Sequence, residues 1–172
     1  AAKVFVAKGT YTVGGNSYIM KDGVEIYGGF DPDNNIRTLD DDRIAPTATA
    51  GSILNGNNTR PVIWNVNNGV TASAVLDGFT LTNAAGNNQG SIYNTGTSPT
   101  LRNLLITTNN TNGVYNTNAS PTLINVCLSN NGIAMYQNGG TASLINTTIA
   151  GNTTAANIVS GGITAKNSLV CG

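Results

Sequence analysis

Between Pro99 and Val170 one short phrase is written four times, and that repetition constrains the fold more than any other feature of the chain. It reads P-T-L-R-N-L-L-I at 99–106, P-T-L-I-N-V-C-L at 121–128, A-S-L-I-N-T-T-I at 142–149 and T-A-K-N-S-L-V at 164–170. The central asparagines Asn103, Asn125, Asn146 and Asn167 are spaced by 22, 21 and 21 residues, and an earlier copy, A-V-L-D-G-F-T-L at 74–81, places Gly78 in the same register. A fixed period of this size is the mark of a solenoid. Only Gly and Asn occupy the register point, the residues that enter the left-handed backbone region at least cost; others lose roughly 1–2 kcal/mol there. Each repeat is therefore expected to hold a short strand, a one-residue bend and another short strand.

The columns beside the bend agree. One residue after it stand Phe79, Leu104, Val126, Thr147 and Ser168, and three after it Leu81, Ile106, Leu128, Ile149 and Val170. A mixed column of Thr80, Leu105, Cys127, Thr148 and Leu169 lies between them. In-out-in alternation is the period of a strand with the aliphatic column facing a core. A second file, Asn109, Asn131 and Asn152, ends each strand, and Tyr93, Tyr115 and Tyr136 precede the bends by ten residues. Three strand-like pieces in about 22 residues describe an all-β, right-handed, single-stranded parallel β-helix rising about 4.8 Å per coil.

The phrases V-F-V-A-K-G-T-Y at 4–11, K-D-G-V-E-I-Y-G-G-F at 21–30, A-V-L-D-G-F-T-L-T at 74–82 and S-P-T-L-x-N at 98–103 and 120–125 carry a family resemblance. They are similar to pectin-lyase-like right-handed β-helices, above all to non-catalytic members on bacterial cell surfaces and in secreted proteins. The resemblance covers nearly the whole chain, and its motifs specify scaffold, not chemistry. It implies an asparagine ladder at the bend, matched by Asn103, Asn125, Asn146 and Asn167.

At 172 residues the chain suits a single domain. It divides into an opening coil (1–30), an acidic loop excursion (31–50) and regular coils (51–172). Only 9% of residues are charged and the net charge is zero, where a globular protein averages about 25%. Without clustered Lys and Arg, neither nucleic acid nor an anionic membrane is an expected partner. No segment approaches the roughly 20 apolar residues of a membrane-spanning helix. Gly23 is expected to take the bend position in the first coils. Cys127 and Cys171 fall in different columns, two coils or about 10 Å apart, so both are expected to be free thiols.

Three groups of residues are candidates for chemistry. In the loop, Asp31, Asp33, Asn35 and Asp42 place oxygens at alternating positions that could converge on calcium. The sixth position is Ile36 instead of glycine and the twelfth is Asp instead of Glu, so the match to a calcium loop is partial. A solvated loop paired with Arg37 and Arg43 is the plainer alternative. Polysaccharide cleavage needs paired carboxylates or a carboxylate–base set, yet after Asp77 the chain has no Asp or Glu, and Arg102 and Lys166 are its only charged residues. No catalytic residue and no resident cofactor is expected. The tyrosine file Tyr93, Tyr115 and Tyr136 is the third candidate. Facing outward and flanked by Asn94, Asn116 and Gln137, it could stack sugar rings; the alternative is that the rings turn inward or stack on one another.

Asp77 and Arg102 each precede a bend by one residue and are expected to form a surface ion pair. The column Thr82, Thr107, Ser129, Ala150 is too uneven for an ice-binding face. The chain closes on S-L-V-C-G without a cap, so the last coil is expected to present a bare strand edge. It would then meet further coils, an adjoining domain, or the first coil of a second copy. The expected function is a non-catalytic structural or adhesive module, extracellular or at the cell surface, possible partners being a glycan or its own copies. A carbohydrate-binding or polysaccharide-degrading β-helix is the alternative.

Overall fold

The computed structural model describes residues 1–86 and 89–171. It is a right-handed parallel β-solenoid with about 22 residues per turn and three strand positions in each coil. On the first face lie β5 (Ile63–Val66), β8 (Gly90–Thr95) and β11 (Asn112–Thr117). The second face holds β1 (Ala2–Ala7), β3 (Val24–Phe30), β6 (Val75–Asp77), β9 (Thr100–Arg102) and β12 (Thr122–Ile124). Two longer strands, β14 (Ile133–Ile145) and β16 (Thr154–Lys166), run through both of these faces and join them into one ten-stranded sheet. They turn the corner without a break because Gly139 and Gly140, at φ 82° and 77°, bend within β14. The third face is a seven-stranded sheet of β2 (Gly9–Thr12), β4 (Ser52–Asn55), β7 (Phe79–Thr82), β10 (Leu105–Thr107), β13 (Cys127–Ser129), β15 (Thr148–Ala150) and β17 (Leu169–Val170). All strand pairs are parallel, and like residues meet across them, for example Leu101↔Leu123 and Ile106↔Leu128; the register shifts only within β1–β3 and β14–β16.

Each face contributes one apolar column to the core: Ile63, Ile92, Val114 and Met135 from the first, Leu76, Leu101, Leu123 and Leu144 from the second, Leu81, Ile106, Leu128 and Ile149 from the third. Successive side chains in a column sit one inter-strand spacing apart, about 4.8 Å, so each packs on its own kind. The alternation expected beside the bend holds through Ile149; Val170, the last member of the inward column, is 50% exposed in the final coil, and one outward member departs from it. Thr80, in the outward column, is fully buried because its hydroxyl donates to the Thr47 carbonyl of the loop at 2.7 Å.

The bend is left-handed as expected: Gly78, Asn103, Asn125, Asn146 and Asn167 have φ of 82°, 50°, 54°, 50° and 49°. It joins the second face to the third. The other two corners follow the same rule. Asn67, Gly96, Asn118 and Gly139 turn the chain off the first face, and Asn83, Thr108, Asn130 and Gly151 off the third, all with positive φ. Gly23 is left-handed but stands before β3, on the approach to the second face, so the bend assigned to it is a different corner; Gly51, next to Ser52 which pairs with Phe79, takes the expected place.

Residues 31–51 leave the solenoid between the second and third faces. They open with a short 3-10 turn, Pro32–Asn34, and fold back on the coils. Ile44 N–H donates to Gly29 O at 2.8 Å, and Arg43 Nη1 donates to Gly28 O at 3.0 Å. No helix among the described residues is long and apolar enough to cross a membrane.

Candidate functional site

Amide ladders are the most extensive polar feature, and two of the three lie inside. On the first face Asn65 Nδ2 donates to Asn94 Oδ1 at 3.1 Å, Asn94 Nδ2 to Asn116 Oδ1 at 3.0 Å, and Asn116 Nδ2 to Gln137 Oε1 at 2.9 Å. Its ends are satisfied by Met20 N–H, which donates to Asn65 Oδ1, and by the carbonyls of Ala119 and Gly139, which accept from Gln137 Nε2. All four side chains are fully buried. This corrects the placing of Asn94, Asn116 and Gln137 beside the tyrosines on the surface: strict alternation puts Tyr93 out and Asn94 in. The second inner ladder is the file Asn109, Asn131 and Asn152, linked at 2.8 and 2.9 Å, with Asn109 and Asn131 buried and Asn152 half-buried at its end.

The third ladder is the exposed one at the bend. Asn125 Nδ2 donates to Asn103 Oδ1 at 3.2 Å, and Asn103 Nδ2 donates to Asp77 Oδ1 at 3.1 Å. Among the described residues no side-chain bond continues it to Asn146 or Asn167. Beside it runs a groove of about 420 Å³, lined by Asn103, Asn125, Asn146, Leu105, Cys127 and Thr148 and closed on one side by Ala45 and Pro46 of the loop.

The tyrosines face outward and stack on one another. Trp64 heads the file, with ring centroids 4.4 Å from Tyr93, then 5.0 Å to Tyr115 and 4.2 Å to Tyr136, all within 14° of parallel. The inner rings spend both faces on their neighbours, leaving their edges outward. Burial, then a hydrogen bond with Tyr136, pushes the Tyr115 hydroxyl above its ordinary range. Trp64 belonged to this file in the sequence too, one residue after Ile63 as each tyrosine follows an apolar residue.

Asp77 and Arg102 are direct partners across β6 and β9, as expected. They are not a surface pair. Asp77 is 3% exposed because Arg43, brought by the loop, covers it: Arg43 Nη2 lies 2.9 Å from Oδ1 and Arg102 Nε 3.0 Å from Oδ2, the latter without hydrogen-bond alignment. Both guanidiniums also lie over the Tyr27 ring, at 5.4 and 6.0 Å from its centroid. Tyr27 in turn donates to Glu25 Oε2 at 2.6 Å, and burial first, then this bond, raises its hydroxyl. A carboxylate held between two guanidiniums, an amide and an aromatic wall is a clamp that fastens the loop.

In the loop, Asp31 faces the solenoid. Lys8 Nζ and Asn34 Nδ2 each reach its Oδ2 at 2.7 Å, and these two bonds hold its carboxyl below the usual range. The same contact raises Lys8. Asp33 lies in the 3-10 turn, Asn35 ends it in the left-handed region at φ 61°, and Asp42 is exposed. Asp41 is the loop carboxylate that organises its own backbone, accepting from the N–H groups of Arg37 and Thr38, which lower its carboxyl. Among the described residues no three Asp, Glu, His or Cys side chains converge as a metal site requires. Both cysteines are free, Cys127 half-buried in the groove and Cys171 exposed.

No protein-family model matches the sequence, and no curated protein or solved structure matches it.

Proposed function

We propose that the chain is a non-catalytic structural or adhesive β-solenoid module of an extracellular or cell-surface protein, related to the non-catalytic pectin-lyase-like β-helices and assembling end to end. The observation that carries this reading is the continuity of interactions along the axis. Two inner amide ladders, one aromatic stack and three apolar columns tie each coil to the next. Buried amides leave no slack, since an orphaned one costs about 1–3 kcal/mol, so the coils act as one stiff unit. Asp77, the carboxylate that an enzyme on this face would use, is engaged by Arg102 and by Arg43 of the loop.

The test is incubation of the full chain with pectate, pectin, xylan and arabinan, following unsaturated uronates and new reducing ends. The expected outcome is no turnover. Turnover that disappears in Asp77→Asn would replace this reading with a polysaccharide-degrading one.

A further inference from the structure

We infer that the groove beside the exposed bend ladder is a binding site for a neutral, linear glycan lying along the solenoid axis. Three observations lead there. First, the wall and floor are chemically mixed in a particular way. Asn125 and Asn146 offer amides, Leu105 and Cys127 an apolar strip, Ala45 and Pro46 a rigid side, and no lining residue is charged. Amides that both donate and accept suit hydroxyls, the strip suits the C–H face of a sugar ring, and the lack of charge disfavours a polyanion. Second, this ladder is unlike the two inside. There every internal amide is spent on its neighbours. Here Asn103 is spent on Asp77 and Asn125, but Asn125 Oδ1 and the amides of Asn146 and Asn167 accept or donate no side-chain bond among the described residues. Capacity therefore increases away from the loop.

The third observation is the repeat. The amides recur once per coil, about 4.8 Å apart along the axis. An extended peptide presents equivalent groups every two residues, about 6.6–6.8 Å, and drifts out of step within two coils. A pyranose with its glycosidic oxygen is close to one coil in length, so successive rings meet successive amides. The site is separate from the tyrosine file, whose inner rings have no free face, and the structural reading above stands whether or not the groove is filled.

Cys127 makes the test direct, because it lines the groove while Cys171 lies outside it and serves as the reference in the same molecule. The full chain is alkylated with iodoacetamide alone and with cellohexaose, mannohexaose, xylohexaose or laminarihexaose, with polygalacturonate as the charged comparator. At least one neutral hexaose should slow Cys127 and leave Cys171 unchanged. Asn146→Gly keeps the left-handed corner and should weaken that hexaose about tenfold by calorimetry, the equivalent of one or two hydrogen bonds. Thr148→Lys, an outward position, should block it without touching a corner. The proposal is overturned if no neutral hexaose protects Cys127, if both cysteines slow together, if polygalacturonate alone protects, or if both variants bind as the parent does.

Discussion

At the scale of single residues, the corners explain why so much of the chain is Asn and Gly. Each regular coil turns three times, and its turns take a residue in the left-handed region, two (Gly139 and Gly140) at the corner within β14. Thr108 is the misfit. It is exposed, β-branched and at φ 56°, in a column where the neighbouring coils place Asn83 and Asn130. A left-handed non-Gly, non-Asn residue costs roughly 1–2 kcal/mol, so Thr108→Asn should stabilise by about 1 kcal/mol and raise the melting temperature by about 2–4 °C. An unchanged or lower melting temperature would mean that Thr108 compensates through a contact of its own. Buried and exposed amides should differ in what they contribute. Asn116→Leu strands Asn94 Nδ2 and Gln137 Oε1, each worth about 1–3 kcal/mol when orphaned, so a loss of about 2–4 kcal/mol is expected. Asn125→Gly keeps its corner and removes one exposed bond, and should cost under about 1 kcal/mol. Comparable losses from chemical denaturation of the two variants would show that burial does not set the value of these ladders.

Elements add cooperativity that no residue shows by itself. The aromatic stack is four strands deep, and its inner member Tyr115 touches rings on both sides. The Tyr115 hydroxyl is raised in the folded chain, so its neutral form is favoured by folding. That contribution is complete below the unfolded tyrosine value, about 10, and is lost as pH rises through the higher folded value. Tyr115→Phe keeps the stack and removes the titration. Its melting temperature should therefore fall less steeply above pH about 10 than that of the parent; parallel profiles would show that the hydroxyl takes no part. The loop clamp behaves as an element too. Asp77→Ala releases Arg43 and leaves two guanidiniums facing each other, and since both arginines are partly exposed the loss should be about 2–3 kcal/mol, below the 3–5 of a fully buried pair. Proteolytic nicking within 31–51 should accelerate in that variant; an unaltered nicking rate would detach Arg43 from the fastening of the loop. The fold class, the period, the bend and the Asp77–Arg102 pairing were legible in the sequence because each repeats or sits in a repeating column. The first-face ladder was hidden because its fourth member is Gln137 and its first, Asn65, stands before the clear repeats. Arg43 was illegible for another reason: a loop outside the repeat has no column to be read from, so its contact with Asp77 follows from the fold alone.

On the scale of the whole molecule, both ends of the solenoid present apolar side chains and unpaired strand edges. At one end the core opens as an apolar cup of about 310 Å³ lined by Val6, Ile26, Leu54, Leu76 and Phe79, with Ile19 64% exposed at its rim. At the other, β16 and β17 leave an unpaired edge on all three faces and expose Val159, Leu169 and Val170. Both ends share one three-sided cross-section and one strand direction, so an edge strand of one copy can pair with β1 and β2 of the next and continue the repeat of about 4.8 Å. Unpaired, flat, apolar edges recruit strands. A contact between unlike ends does not close on itself, and it extends into a fibre instead of stopping at a dimer. The 172-residue chain should therefore sediment at micromolar concentration as a distribution whose mean size grows with concentration, with Cys171 near each junction. Val159→Lys with Val170→Lys places two charges in the contact and should return a single slow species with an unaltered circular dichroism spectrum. A parent that sediments as one monomer at every concentration would mean that the cup and the edge do not meet.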